Sequence, residues 1–385
     1  MKITFPHMGN MYVPVKVLLD TVGIEYVMPP LNTKETMELG IVNSPEFACL
    51  PFKTILGDLI YGLNNGADFV LFGGGSGQCR FGYYGDLLSK IIENLNYDVK
   101  FVCLDTTNIT VKGVLDKISP LTEGKSTADI IKGILYAART VFSVDALNRL
   151  AGYIRCREIR KGETDRIISE FQNSIQKVHG YKAVMREIKS TRKRLKHVAI
   201  DREKKTLKVA IVGEIYAASH PGINYEIEKK LGNMGVEVHN YLGISKWILN
   251  HFILNNMPIR IKDKLHSAGK EFINANDIGG HGIQTIGASI ISAKKRFDGV
   301  IQIYPFTCMP EIIAQSVLVE VHKKYQIPVM TLIVDEMTGE EGYMTRLEAF
   351  VDMLEMRRRQ VWNYKSFPLK KLFNKSIIKY ISRQF

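Results

Sequence analysis

The sequence predicts an α/β protein: two doubly wound parallel-sheet domains, a helical connector between them, and C-terminal helices. Three observations predict it. Strand and helix signals alternate through the first part of the chain and resume after about residue 205. The stretch between is charged, nearly free of proline and helical in period. Each alternating half also holds an apolar strand, a loop with one cysteine and a helix, in that order.

The elements follow in sequence. Lys2–Pro6 is a short apolar run, Val13–Val22 has helical spacing, and Ile24–Met28 is a strand ended by Pro29-Pro30. An irregular stretch surrounds Ser44-Pro45, after which a helix runs from about Pro51 to Leu63. Strand Asp68–Phe72 enters Gly73-Gly74-Gly75-Ser76-Gly77, helix Asp86–Asn94 follows, and Lys100–Leu104 is another strand. The second half reads as strand Leu207–Val212, helix Tyr225–Met234, strand Val236–Leu242, helix Thr285–Arg296, strand Gly299–Tyr304, helix Pro310–Tyr325 and strand Val329–Val334. Thr345–Arg359 is a final helix of good helix formers. The domain boundaries expected are 1–115, 116–204, 205–340 and 341–385, the last being a helix and a basic tail.

At 385 residues the chain suits more than one domain. Its apolar and charged fractions, 45% and 24%, are those of a globular protein. No apolar run reaches the roughly 18 residues that span a bilayer. Met1–Phe5 runs straight into a strand pattern rather than a signal peptide, so the expected location is cytoplasmic. The net charge of +13 is uneven: Arg357 to Phe385 carries nine Lys/Arg and no acid. The basic balance therefore describes an appendage more than the body.

The five cysteines are Cys49, Cys79, Cys103, Cys156 and Cys308. An odd, widely spaced set is no disulfide framework, and no CxxC occurs, so any metal site is assembled by tertiary structure. Cys49, Cys79 and Cys308 each lie just before a helix start, with Pro51 and Pro310 at first helical positions. Helix N-termini offer free N–H groups and partial positive charge, which favour thiolate, the metal-binding form. Both Cys79 and Cys308 fall beyond strand carboxyl ends, where open α/β sheets bind ligands, so two facing domains place them around one cleft. Three readings of these thiols stand side by side: small buried core residues, a tri-thiolate zinc site, or ligands of an iron–sulfur cluster. Cys103, inside a strand, and Cys156, in a charged helical stretch, read as structural.

Six stretches together carry a resemblance: Ala48–Lys53 (ACLPFK), Gly73–Gly85 (GGGSGQCRFGYYG), Gly213–Tyr216 (GEIY), Gly279–Gly287 (GGHGIQTIG), Tyr304–Gln315 (YPFTCMPEIIAQ) and Asp335–Phe350 (DEMTGEEGYMTRLEAF). They resemble the cluster-binding subunits of the 2-hydroxyacyl-CoA dehydratase and benzoyl-CoA reductase superfamily, in its activase-related branch. The resemblance implies two flavodoxin-like domains facing each other across a cleft. It also implies one 4Fe–4S cluster on Cys49, Cys79 and Cys308 with its fourth iron site open to substrate, water or another ligand. Homodimer formation, an ATP-hydrolysing activator protein as electron donor and an acyl-CoA substrate are implied as well. A relative binds a double-cubane cluster with about twice as many cysteines; five favour a single cluster. A non-catalytic electron carrier, cluster carrier or assembly protein is the second reading.

Other residues join the site. Gly75 and Gly77 let backbone approach a bulky cluster. Arg80, beside Cys79, is placed to pair with an anionic cluster or an acyl-CoA phosphate, or else is a solvated surface residue. His281, between glycines before a helix, is a candidate proton donor or anion ligand, and alternatively a loop cap. Glu214 and the pair Asp335-Glu336 end strands and read as acid/base groups or as caps. Ser119–Ser126 (SPLTEGKS) lacks the first glycine of a phosphate-binding loop, and Gln78 breaks GxGxxG, so nucleotide binding is not expected. In the tail, Leu369, Leu372, Phe373, Ile377 and Ile381 fall at helical spacing, with Lys371, Lys375 and Lys379 on another face. That pattern suits packing on its own domain or dimer mate, ahead of an acidic partner or a membrane surface; no nucleic-acid recognition fold accompanies it.

Overall fold

In the computed structural model the chain is described over residues 1–31, 34–74, 79–105, 124–243, 263–274 and 278–366, with single residues 113, 122 and 245. The strands are β1 (Lys2–Thr4), β2 (Glu25–Val27), β3 (Phe69–Gly74), β4 (Lys100–Asp105), β5 (Leu207–Gly213), β6 (Val236–Asn240), β7 (Gly299–Pro305) and β8 (Val329–Val334). They form two four-stranded sheets, ordered β2-β1-β3-β4 and β6-β5-β7-β8, and every pairing is parallel. Ile3 sits between Tyr26 and Phe69 in the first, and Ile211 between Asn240 and Ile301 in the second. The protein is thus α/β with two doubly wound parallel sheets, consistent with flavodoxin-like units. All seven residues of β7 are buried, as central parallel strands covered on both faces should be.

The two sheets also share their helix packing. In the first half, helix Lys34–Asn43 crosses helix Leu50–Asn64 at Gly40 and Gly57. A Cβ on Gly57 would stand 1.7 Å from the Thr36 carbonyl oxygen, and one on Gly40 1.8 Å from that of Lys53. In the second half, helix Lys264–Gly269 meets helix Gly282–Lys294 in the same manner. A Cβ on Gly287 would lie 1.8 Å from the Leu265 carbonyl oxygen, and one on Gly269 2.3 Å from that of Ile283. Strand order and this glycine-on-glycine crossing recur together, so the chain is an internal duplication in structure.

Helices Thr127–Arg155, Glu163–Lys177 and Tyr181–His197 pack with helix Tyr12–Val22 and β1 in one buried cluster. Buried Lys16 ties them by donating to the carbonyls of Ile175 (3.1 Å) and Gln176 (2.8 Å) near a helix end. A second buried cluster runs from Leu50, Phe52 and Ile60 through Tyr216 and Ile223 to Tyr343, so one core crosses both halves.

Most expected elements fall where the sequence places them; helices Ile215–Ser219, Pro221–Asn224 and Lys264–Gly269 are additional, and three further elements differ. Helix Lys34–Asn43 occupies part of the stretch read as irregular; it buries only Thr36 and Gly40, so it has no apolar stripe to read. The helix expected from Tyr225 begins at Ile227, because Tyr225 and Glu226 are left-handed (φ 53° and 54°). The last helix is longer than expected, Glu340–Ser366. Gly75, Gly77, half of Ser119–Ser126 and the tail from residue 367 lie outside the described residues. Among the described residues no helix is long and apolar enough to cross a membrane.

Candidate functional site

Three cysteines begin three helices. Cys49 is the N-cap of Leu50–Asn64, Cys79 of the short 3₁₀ turn Arg80–Tyr83, and Cys308 of Met309–Tyr325. Each has extended backbone, and Pro51 and Pro310 stand in the first turns as their fixed φ predicts.

Arg80 gathers the three loops. Its guanidinium donates to the carbonyl of Phe47 (3.1 Å), two residues before Cys49. It also donates to the carbonyl (2.9 Å) and the hydroxyl (2.6 Å) of Thr307, the residue before Cys308. Because Arg80 itself follows Cys79, one side chain links all three cysteine loops. Exposed Arg80 thus donates to two backbone carbonyls and one hydroxyl. Thr307 is held left-handed at φ 69°, which is costly for a β-branched residue and persists where surroundings impose it. A second tie runs from buried Lys53, in the Cys49 helix, to Glu336 beyond β8, with the Glu46 carbonyl 3.1 Å away as a further acceptor.

The electrostatics also bring the thiols together. Burial pushes the Cys49 thiol up to about 11, against a hydrogen bond with the Tyr84 hydroxyl. Burial raises Cys79 and Cys308 too, and the Glu214 carboxylate raises all three. Cys79 adds to the rise at Cys308. The N–H groups of Phe52, Phe81 and Glu311 favour the respective thiolates, as the sequence led us to expect. They do not set the net shift, however. Desolvation and two neighbouring carboxylates outweigh three partial charges, which corrects the expectation of lowered thiol pKa values. A cation bound here would reverse that balance, since metal displaces thiol protons.

Glu214, a sequence candidate for acid/base work, is a helix cap: its two oxygens accept from the N–H groups of Tyr216 (2.9 Å) and Ala217 (2.8 Å). Asp335 likewise accepts from the Met337 N–H (3.0 Å) and the Thr338 hydroxyl (2.8 Å). His281 is the N-cap residue of helix Gly282–Lys294. The glycine before it, Gly280 (φ 54°), is so close to the site that a Cβ there would lie 3.1 Å from Pro310 Cγ and 3.9 Å from Cys79 Cβ. Cys103 and Cys156 have other neighbours. Cys103 Sγ fills the space above Gly74 and Gly85, where added Cβ atoms would come within 2.9 and 2.7 Å. Buried Cys156 interacts with the Tyr153 carbonyl (3.3 Å) and the Arg157 guanidinium (3.1 Å).

The sequence reading missed two residues. Tyr84 enters through its hydroxyl on Cys49. Glu311 is fully buried, accepts from Thr285 (3.0 Å) and Gln302 (2.9 Å), and is pushed by burial up to about 7. A glutamate at the third position of a helix that starts with a cysteine and a proline was the only available signal, and it reads equally as a first-turn acid.

The site offers three thiols at helix starts linked through Arg80, each of which would have to lose its proton to hold a metal group. Among the described residues no three His, Cys, Asp or Glu side chains lie close enough to share one metal ion. No protein-family model and no curated protein matches the chain.

Proposed function

We propose that this protein is an iron–sulfur protein of the 2-hydroxyacyl-CoA dehydratase type, holding one 4Fe–4S cluster on Cys49, Cys79 and Cys308. The observation that carries the reading is the link through Arg80: three cysteine N-caps from both halves tied by one guanidinium. In this reading the carboxyl ends of the two sheets face one cleft, and the cluster bridges it. The cluster supplies a single low-potential electron to a small acyl-CoA thioester bound at the iron that carries no cysteine. The chain's own part is to fix the three thiolates, to hold N–H groups against their sulfurs, and to exclude water with Phe52, Tyr84 and Phe72. A homodimer receives its electron from an ATP-hydrolysing activator, for which exposed Phe47, Tyr83, Phe306 and Met309 in the cysteine loops offer an apolar rim. The capping role of Glu214 favours a second reading, a non-catalytic electron or cluster carrier, because it occupies the carboxylate best placed for acid/base work.

The test is anaerobic purification followed by iron and sulfide counts, absorption and electron paramagnetic resonance. Cys49→Ser, Cys79→Ser and Cys308→Ser should each lose the cluster, while Cys103→Ser and Cys156→Ser keep it. A colourless wild-type protein that takes up no iron sinks the proposal. Turnover of acyl-CoA thioesters with reductant, ATP and activator separates the enzyme from the carrier.

A further inference from the structure

A cleft of about 650 Å³ lies at the amino ends of β5 and β6, the end of the second sheet opposite Cys308. Three segments wall it: residues 204–207 leading into β5, the turn 234–236 leading into β6, and the last helix at Glu355, Arg358 and Arg359. Leu207, Met234 and Val236 contribute apolar surface. Lys204, Lys205, Arg358 and Arg359 contribute four cations. Its size is that of a small-molecule site.

The charge in this cleft does not balance. Among its described lining residues Glu355 is the only acid, and Arg359 pairs with it at 3.2 Å. Elsewhere the shielded cations are matched: Arg155 by Asp165, Arg157 by Glu237 and Lys230 by Glu340. Lys204 and Arg358 are half-buried, yet neither forms an ion pair among the described residues. Arg358 also lines an adjoining cleft of about 330 Å³ that adds Arg296 and Arg357. The acid there, Asp298, accepts from the Lys208 N–H at 2.7 Å. Partly desolvated like charges so gathered repel one another, and an anion relieves that cost.

The two half-buried cations are also held in place. One Arg358 nitrogen donates to the Thr206 carbonyl (2.9 Å), which fixes the planar fork and leaves further N–H groups for the cleft it lines. Lys204 lies over Gly235, where a Cβ would stand 3.2 Å from its Nζ. Gly235 is left-handed (φ 87°), a conformation that glycine takes without strain.

We infer that this cleft binds a small molecule bearing a diphosphate group, with the phosphates between Lys204 and Arg358 and the organic part on Leu207, Met234 and Val236. Guanidinium recognises phosphate oxygens through paired N–H groups, and ammonium does so as a point charge. Four cations less one acid leave +3 in the lining. One phosphate, at about −1.5 to −2, does not neutralise that charge, and two do. The apolar surface favours an organic diphosphate over a nucleic-acid backbone, which is held by charge. The site stands apart from the cluster reading, because it lies at the other end of the sheet.

The experiment is isothermal titration calorimetry on the full chain at fixed ionic strength, with inorganic phosphate, pyrophosphate and ADP as probes. Pyrophosphate should bind about tenfold more tightly than phosphate, and ADP more tightly still. Lys204→Ala and Arg358→Gln should each weaken ADP by about tenfold. Lys182→Ala, which removes an exposed cation from helix Tyr181–His197, should leave ADP binding unchanged. Arg358→Gln also loses the bond to Thr206, whereas Lys204→Ala leaves it in place and is the decisive variant. Equal affinity for the three probes, or ADP binding untouched by Lys204→Ala, overturns the inference. Single-stranded RNA that outcompetes ADP overturns it in favour of a nucleic acid. None of these readouts depends on iron, so failure here leaves the cluster reading standing.

Discussion

Replacing Arg80 by glutamine removes the one side chain that reaches all three cysteine loops. Three hydrogen bonds are lost, to the Phe47 carbonyl (3.1 Å), the Thr307 carbonyl (2.9 Å) and the Thr307 hydroxyl (2.6 Å). Arg80 is exposed, so each bond is worth nearer about 0.5–1 kcal/mol than the upper range for charged donors. The sum is about 1–3 kcal/mol, and the strain held at Thr307 (φ 69°) gains an escape. In the proposed reading the loops hold one cluster, so the same energy should appear in metal retention: iron transfer to a chelator accelerates by about 5- to 150-fold. The melting temperature falls by only about 1–4 °C, because unfolding entropy grows with chain length. Arg80→Lys keeps the charge but not the planar fork that serves two separate loops, so it should resemble the glutamine variant in iron release. Wild-type release rates in both variants would refute the idea that this guanidinium organises the site.

Two further perturbations test the frame beneath the site. Asp58, buried in the Cys49 helix with the His7 N–H 2.9 Å from its carboxylate, is pushed by burial up to about 8. A raised carboxyl pKa gives stability that is complete below about 3.9, the usual carboxyl value, and is lost as pH rises toward 8. Asp58→Asn removes that loss. Between pH 5 and pH 8 the variant should gain about 2–4 kcal/mol over wild type in urea unfolding, and a pH-independent difference would contradict the assignment. The paired comparison cancels the acid-side contributions of buried His7 and His220, whose pKa values burial lowers to about 4 and about 3. Gly57→Ala puts a Cβ where the Thr36 carbonyl oxygen stands, 1.7 Å away, and a backbone oxygen cannot yield. It should cost about 3 kcal/mol or more and lower iron stoichiometry by shifting the helix that begins at Cys49; a variant of wild-type stability would show that the two helices separate freely.

Much of the fold was legible in the sequence because apolar periodicity survives wherever an element packs by side chains. β7 and helix Met309–Tyr325 read correctly for that reason. Helix Lys34–Asn43 did not, because it crosses its neighbour through glycine backbone and its apolar Met37 and Leu39 are only partly buried. The helix-start placement of Cys49, Cys79 and Cys308 was also readable, since Pro51 and Pro310 fix φ locally.

Their convergence was not readable from spacing, which separates Cys49 from Cys308 by more than half the chain. Local sequence determined the strands, the helix starts and the residues at each cap. Tertiary structure alone decided that Arg80 links three loops, that Glu214 is a cap, and that buried Glu311 lies beneath Cys308. Capping propensity is a property of a few adjacent residues, whereas solvent exclusion and long-range contact arise when distant segments of both halves share one buried core.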